Sequence, residues 1–412
     1  MRPLDEALAD LLAFAVCLSD TERVAIWDAD GRVLAQDLVA ALQVPPQDNS
    51  SMDGYAVRCA DLAAGMALPV SQRIAAGSSG SPLAPQTVAR IFTGAPIPPG
   101  ADAVVPQEDC TLQTDGLVLI SAPVPVGQWI RSCGEDITRG ATILSKGERL
   151  TPAELGLAAS IGMSHLLVAR RPKVALFSTG DELVMPGDVA PEHMPPGAIY
   201  NSNRFFLRAL LTRLGCQVSD LGIVPDNRAA TIDALRAAAQ NHDLILTSGG
   251  VSVGEEDHIK PAVQALGRLE QWQIAMKPGK PLAYGQVRRD VATSGAGADF
   301  AHFMGLPGNP VSSFVTFLLL VRPFVLSLQG AGQLAMPSIA SIAHFTWARA
   351  DKRREFLRVR RDATGGLELF PNQSSGVLTS AVWGDGLVDN PPGQTIAPGD
   401  VVRFIPFAEV LS

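Results

Sequence analysis

Only 6% of the 412 residues are aromatic, too few to supply the stacked rings of a single-strand nucleic-acid platform. Positive charge is also short: 33 Lys and Arg against 41 Asp and Glu leave a formal charge of −8, with a pI near 5.3. That disfavours a general polyanion binder but leaves room for a small basic pocket holding one anionic ligand. The five cysteines, Cys17, Cys59, Cys110, Cys133 and Cys216, are odd in number and lack CxxC spacing. A disulfide framework or zinc site is therefore disfavoured, and a reducing compartment is the simpler reading. The longest apolar run, Val311 to Leu328, carries Arg322 and Pro323 and is short for a bilayer span. At the start of the chain, Asp5, Glu6 and Asp10 interrupt the apolar pattern, so this stretch reads as an amphipathic helix, not a signal peptide. The expectation is a soluble, cytoplasmic protein with neither nucleic acid nor membrane as partner.

What is present is length, glycine and proline. A chain of 412 residues exceeds what one core usually serves, so two to four domains are expected. With 38 Gly and 31 Pro, turns are frequent and elements short. Leu4 to Leu18 has helical spacing, and Ala25 to Val44 is strand-like. Residues 45 to 137 lack any long helical period and read as mostly β with irregular loops. Thr151-Pro152-Ala153-Glu154 starts a helix running to about Ile161, with Thr as cap and Pro in the first turn.

The pattern changes at Pro172. Strands at Val174–Phe177, Val218–Val224 and Asp243–Leu246 alternate with helices at Asn201–Leu214, Thr231–Ala239 and Glu255–Leu266. That alternation predicts a parallel α/β domain over roughly 172 to 328. After Gly332 the chain returns to β, with strands at Ile342–Ala348, Phe356–Arg361, Leu367–Phe370 and Val401–Pro406 and a hairpin turn at Gly365-Gly366.

In open parallel sheets, ligands bind at the carboxyl ends of the strands. Three glycine-rich loops fall there: Ser178–Glu182, Thr247–Gly254 (with Gly249, Gly250 and Ser252) and Gly305–Pro310. Glycine permits close backbone approach, and N–H groups at the following helix starts favour an anion. Asn309 as cap and Pro310 in the first helical position preorganise the third such end. One such loop alone reads as a tight turn; three on one edge point to a ligand. Neither GxGxxG nor a complete phosphate-binding P-loop is present. Lys277-Pro278-Gly279-Lys280-Pro281 adds two cations on a stiff turn, suited to phosphate. Asp181, Glu182, Asp226, Glu255, Glu256 and Asp257 lie beside the same loops. Carboxylates next to an anion site are costly unless a divalent cation intervenes, and Mg²⁺ suits that role. Asp226 and Asp257 are the metal candidates, whereas Glu255 and Glu256 read as complements to their helix dipole. No Ser/His/Asp or Cys/His set can be assembled, so side-chain nucleophilic catalysis is unsupported.

In the β-rich stretch, Asp48-Asn49-Ser50-Ser51-Met52-Asp53-Gly54-Tyr55-Ala56-Val57 resembles the DNSAMDGYAV signature of the MoeA-type molybdotransferases and the gephyrin E domain. Further blocks follow in the family's order: Thr93–Pro96, Gly134–Ile137, Ser178–Leu183, Asn201–Asn203, Thr247–Gly254, Lys277–Pro281 and Gly305–Ser312. The collinear match runs from about residue 20 to the end. Gln47, Ser51, Glu256 and His258 depart from the usual pattern without removing a functional side chain, and Val291–Phe300 is longer than usual.

The resemblance implies a multidomain α/β plus β fold. An extended domain I would comprise 1–46 and 138–171, and a β-rich domain II 47–137. The molybdopterin-binding α/β domain III would span 172–328, with a β-barrel-like domain IV at 329–412. It further implies a homodimer whose active site lies between domain III of one subunit and domain II of the other. The substrates would be molybdate and adenylylated molybdopterin, with Mg²⁺-dependent hydrolysis releasing AMP and the finished cofactor. The implied catalytic residues are Asp53, Thr93, Asp136, Glu182, Asp226 and Asp257. Ligand contacts fall to Gly249, Gly250, Ser252, Lys277, Lys280, Pro307, Asn309 and Pro310. A molybdopterin adenylyltransferase and molybdoenzyme acceptors are the implied partners. Two rival readings stay open: an ATP-consuming adenylyltransferase, and a non-catalytic scaffold.

Overall fold

The computed structural model describes residues 1–63, 66–120, 123–225, 227–250, 258–290 and 299–411. At its centre lies a mixed six-stranded sheet. Its strands are β1 (Lys173–Thr179), β2 (Gln217–Val224), β3 (Leu244–Ser248), β4 (Gly267–Gln273), β5 (Pro281–Arg288) and β6 (Phe300–Leu306). They lie in the order β2-β1-β3-β6-β5-β4. The first four are parallel, as the alternating pattern predicts, but β5 and β4 run antiparallel and finish the sheet. No regular alternation marks these last two strands, and Pro281 and Gly285 obscure the second; the turn between them is what makes them a pair.

Six helices matter here: α1 (Leu4–Phe14), α2 (Pro152–Ser160), α3 (Asn203–Arg213), α4 (Arg228–Asn241), α5 (Ile259–Leu266) and α6 (Pro310–Leu328). The period-two alternation of strand side chains sorts them onto two faces. Val174 and Leu176 of β1 meet α3, α6 and α1, while Ala175 and Phe177 meet α4 and α5. Leu4, Ala7 and Leu11 are the buried face of α1, and Phe14 stacks on Tyr284 at 4.7 Å. Residues 1 to 14 thus pack with the central sheet and not with the extended stretch that follows them. Helix α6 passes every compositional test for a membrane span, yet 89% of it is buried inside the protein as the core of this face. Its middle turn, Phe317–Val321, widens to a π-helix just before Pro323, which has no N–H and crowds the carbonyl four residues back.

The two stretches flanking the β-rich segment come together by pairing: Thr21–Ala25 runs antiparallel to His165–Ala169, and Leu38–Val39 to Thr142–Leu144. Helix α2 packs beneath them with the Thr151–Glu154 capping box formed. Between them the chain builds a six-stranded sheet from Gly54–Val57, Ala67–Ile74, Val88–Ile91, Ala103–Pro106, Cys110–Leu112 and Leu117–Ile120.

After α6, Leu367–Leu369, Arg354–Arg361, Gly386–Asn390, Val401–Pro406 and Ile339–Ile342 pair in turn, and an isolated bridge, Ala343 to Leu367, closes the circuit around a small core. Within Ile342–Ala348 only Ile342 belongs to a strand. Ala343, Phe345 and Trp347 do face inward as their alternation requires, but only two isolated bridges tie this stretch down. Met276–Lys277, lying between β4 and β5, forms the parallel edge strand of this C-terminal sheet.

Candidate active site at the carboxyl edge of the central sheet

The chain leaves β1, crosses to β2 on one side, then returns to β3 on the other. Strand order therefore reverses between β1 and β3, which is where open α/β sheets form their ligand crevice. Both strands end there, at Thr179 and Ser248, and β6 ends beside them at Leu306. The antiparallel register brings Gln273 opposite Pro281 and Ala283 opposite Gly305. Consequently the turn holding Lys277 and Lys280 opens on this same edge. Four loops converge, one more than the strand-to-helix pattern alone supplied.

Close packing explains the glycines. A Cβ on Gly249 would sit 2.8 Å from the Thr179 carbonyl oxygen, and one on Gly250 2.9 Å from Thr179 Oγ1 and 2.6 Å from Ile259. Both have positive φ. Asn203, in the first turn of α3, ties two loops together: its Nδ2 donates to Ser248 Oγ at 2.8 Å and to the Gly308 carbonyl at 2.7 Å. Sequence inspection matched Asn203 to a family block without giving it a role; its burial is the signal that singles it out.

Several buried polar atoms at this edge have no partner within the described protein: Ser178 Oγ, Thr247 Oγ1, Asn201 Nδ2 and Asn203 Oδ1. Their residues are all at most 7% exposed. Leaving such groups unsatisfied costs about 1–3 kcal/mol each, so their clustering at the switch point marks a place built for polar occupants, water or ligand.

The predicted ligand residues take different positions. Pro307 is buried, Pro310 half-buried, and Gly308 and Asn309 exposed at the rim. Asn309 stands at the N-cap of α6 with Pro310 following, but its side chain makes no capping bond; the Asn309 carbonyl accepts from Ser313 N–H at 2.9 Å. Val311 N–H donates to the Ser375 carbonyl of the C-terminal segment at 2.9 Å, which removes one N–H otherwise free for an anion. Glu182 and Asp181 are exposed, with the Glu182 carboxylate folded back over Gly180.

Lys280 is exposed and has no ion-pair partner among the described residues. Lys277 differs. Its ammonium lies 3.0 Å from Glu355 Oε1 and 3.4 Å from Asp351 Oδ2, and 5.8 Å from the centre of the Trp347 ring. Glu355 also accepts from Trp347 Nε1 at 2.7 Å. Asp351 is held well below the usual carboxylate range, chiefly by the Arg353 side chain. The two lysines are thus not equivalent: one is free for an anion, and the other clasps the C-terminal sheet.

Asp53 and Thr93, both assigned to the site by the resemblance, lie in contact, and the register explains it. Gly54 pairs with Ile91 across antiparallel strands, bringing Asp53 to the turn after the second strand. A Cβ on Gly54 would lie 1.9 Å from the Val105 carbonyl oxygen, so no other residue fits. Asp53 Oδ1 accepts from both the N–H and the hydroxyl of Thr93, each at 2.8 Å. These two bonds hold the carboxyl below its ordinary value, the backbone bond most and Arg90 nearby adding to it. Asp136 is exposed, and its N–H donates to the Val44 carbonyl. Among the described residues, the hydrogen bonds of Asp53, Thr93 and Asp136 stay within residues 44–137 and do not reach the central sheet.

Asp226, Ser252 and Asp257 lie outside the described residues, as do Glu255, Glu256 and positions 291–298. Among the described residues no three His, Cys, Asp or Glu side chains converge to hold a metal.

Comparison with known proteins agrees with this architecture segment by segment. Residues 2–162 match a family model described as the MoeA N-terminal region (domain I and II), 175–327 the "Probable molybdopterin binding domain", and 341–407 the MoeA C-terminal region (domain IV). A molybdopterin molybdenumtransferase of Haemophilus influenzae is 41% identical over 360 residues, covering 87% of this chain and 85% of its own. One from Synechococcus elongatus is 37% identical, covering 90% and 91%. The crystal structure of a molybdopterin biosynthesis MoeA protein from Pyrococcus horikoshii superposes with a TM-score of 0.83 at 27% identity, covering 98% of this chain and all of the other. Another from the same organism gives 0.76 at 30% identity, covering 98% of each chain. With relatives this similar along nearly its whole length, the chain belongs to the MoeA family of molybdopterin molybdenumtransferases.

Proposed function

We propose that this chain inserts molybdenum, delivered as molybdate, into adenylylated molybdopterin and releases AMP. The observation that carries the reading is the convergence of four loops at the switch point of the sheet. They meet around unpartnered buried polar atoms, within the segment matched by the molybdopterin-binding family model. A phosphoanhydride substrate suits it: glycines allow close approach, Lys280 supplies free positive charge, and the N-terminus of α6 adds its dipole. Anhydride hydrolysis depends mainly on positioning and charge neutralisation, so no nucleophilic side chain is needed.

Asp53 and Thr93 make their bonds far along the chain from this edge and within their own segment. We assign them to the site through a second copy of the chain, whose β-rich domain would face the edge. The hydroxyl and amide of Thr93 keep Asp53 ionised and aimed. The division into domains I to IV at the boundaries given above belongs to the same reading, except that residues 1–14 pack with domain III. Mg²⁺ is assigned to Asp226 and Asp257, and bound there it would neutralise phosphate charge. The adenylylated substrate would come from a molybdopterin adenylyltransferase, with molybdoenzymes as acceptors, in the cytoplasm.

The test is AMP release from adenylylated molybdopterin, with and without molybdate. Molybdate-dependent release with active cofactor supports the assignment. ATP consumption instead identifies an adenylyltransferase, and binding without turnover identifies a scaffold.

A further inference from the structure

Arg322 lies near the far end of α6, about 18 Å along the helix axis from Pro310 at the usual rise per residue. It is 8% exposed. A buried guanidinium ordinarily meets a carboxylate, because an unpaired charge in the interior is costly. Among the described residues its Nε has no partner, and its guanidinium makes one long bond, 3.4 Å, from Nη1 to the Leu334 carbonyl. The charged neighbour that acts on it is another cation, Arg149.

Arg322 lines a cleft of about 460 Å³ between the 146–149 turn and the end of α6, with Lys146, Arg149, Glu148, Glu154 and Gln333. The two carboxylates line the cleft as well, each held by neutral local donors, so the three cations Lys146, Arg149 and Arg322 exceed them by one. Glu154 is held by the amide and hydroxyl of Thr151, and Glu148 accepts from Ser145 N–H at 3.0 Å. Arg149 donates to the Gly31 and Arg213 carbonyls. Its neighbours Arg171 and Arg213 likewise donate to backbone carbonyls, of Gly215 and Leu411. Three arginines, Arg149, Arg171 and Arg213, thus lie behind the cleft and donate to backbone carbonyls.

We propose that this cleft is a second anion site, distinct from the catalytic edge, taking a small tetrahedral oxyanion such as inorganic phosphate, sulfate or molybdate. The oxyanion is held by the Arg322 guanidinium where it lines the cleft, and Lys146 closes over it from the exposed side. Guanidinium geometry matches a tetrahedral oxyanion through paired N–H donors.

The test is equilibrium dialysis of the full chain against inorganic phosphate at constant chloride, with sulfate and molybdate as separate arms. Arg322→Met keeps the volume and removes the charge. The expected result is loss of one bound oxyanion per chain, unchanged AMP release, and melting at or above the parent temperature in chloride buffer. Lys146→Ser, an exposed change, guards against misfolding of the first variant and is expected to weaken binding roughly tenfold, as for one charge-assisted bond. Unchanged stoichiometry and affinity in both variants overturn the proposal. So does dissociation of the native oligomer in Arg322→Met, which places a partner's carboxylate in the cleft instead.

Discussion

Removing the Lys277 side chain tests the double role that its surroundings give it. Glu355 is 1% exposed and accepts from Lys277 at 3.0 Å. In Lys277→Ala that carboxylate stays buried without its cation. A stranded buried charge typically costs about 3–5 kcal/mol. Trp347 Nε1 at 2.7 Å and Asn390 Nδ2 at 3.4 Å still donate to Glu355, so about 2–3 kcal/mol is expected here. Glu355→Gln is milder. It leaves Lys277 40% exposed with Asp351 at 3.4 Å, so the cost should be about 1 kcal/mol. The double variant should resemble Glu355→Gln alone, giving a coupling of about 2–3 kcal/mol in a urea-unfolding double-mutant cycle. The same charges predict activity. Freeing the ammonium in Glu355→Gln should lower the KM for adenylylated molybdopterin, whereas Lys277→Ala should raise it. Parent-like stability of Lys277→Ala with no coupling would refute the argument.

Other outcomes follow from the same geometry. Asn203→Ala strands Ser248 Oγ and the Gly308 carbonyl and loosens two loops at once; about 2–4 kcal/mol of stability should go, together with most AMP release, by denaturation and single-turnover assay. Thr93→Val removes the hydroxyl that helps hold Asp53 below its ordinary value, so the carboxyl should titrate higher. A depressed carboxylate contributes above its unfolded pKa and is lost as pH falls through the folded value, so the acid limb of the kcat/KM profile should move to higher pH. Gly279→Ala puts a Cβ 2.5 Å from Thr316 Oγ1 at φ +105°, and the variant should be poorly folded by circular dichroism, while Lys280→Ala at the exposed neighbour should keep stability and lose substrate affinity.

The parallel part of the central sheet was legible because its inner strands, such as Val174–Phe177 and Leu244–Leu246, are apolar runs and its helices carry clear starts and stops. The capping box of α2 and the extent of Val401–Pro406 were equally readable. Strands β4 and β5 were not: Gly267–Gln273 mixes polar and apolar residues because it forms the sheet's edge. The lysine turn was found in sequence by charge and stiffness. Its division of labour depends on Glu355, which lies 78 residues away and emerges only when two sheets meet. Likewise Arg322 reads in sequence only as an interruption of an apolar run, because nothing local reports that its carboxylate is missing.

The shared turn between β4 and β5 also bears on modularity. Its residues Met276 and Lys277 serve as the outer strand of the C-terminal sheet while the strands on either side belong to the central one. A shortened protein ending at Leu328 would keep every strand of the molybdopterin-binding layer, yet leave that strand's backbone without its neighbour and Lys277 without Glu355. The rim of the crevice would then lose its template. In this chain the last eighty or so residues are therefore part of the scaffold of that crevice, and grafting the α/β layer alone onto another protein should transfer its fold without its lysine geometry.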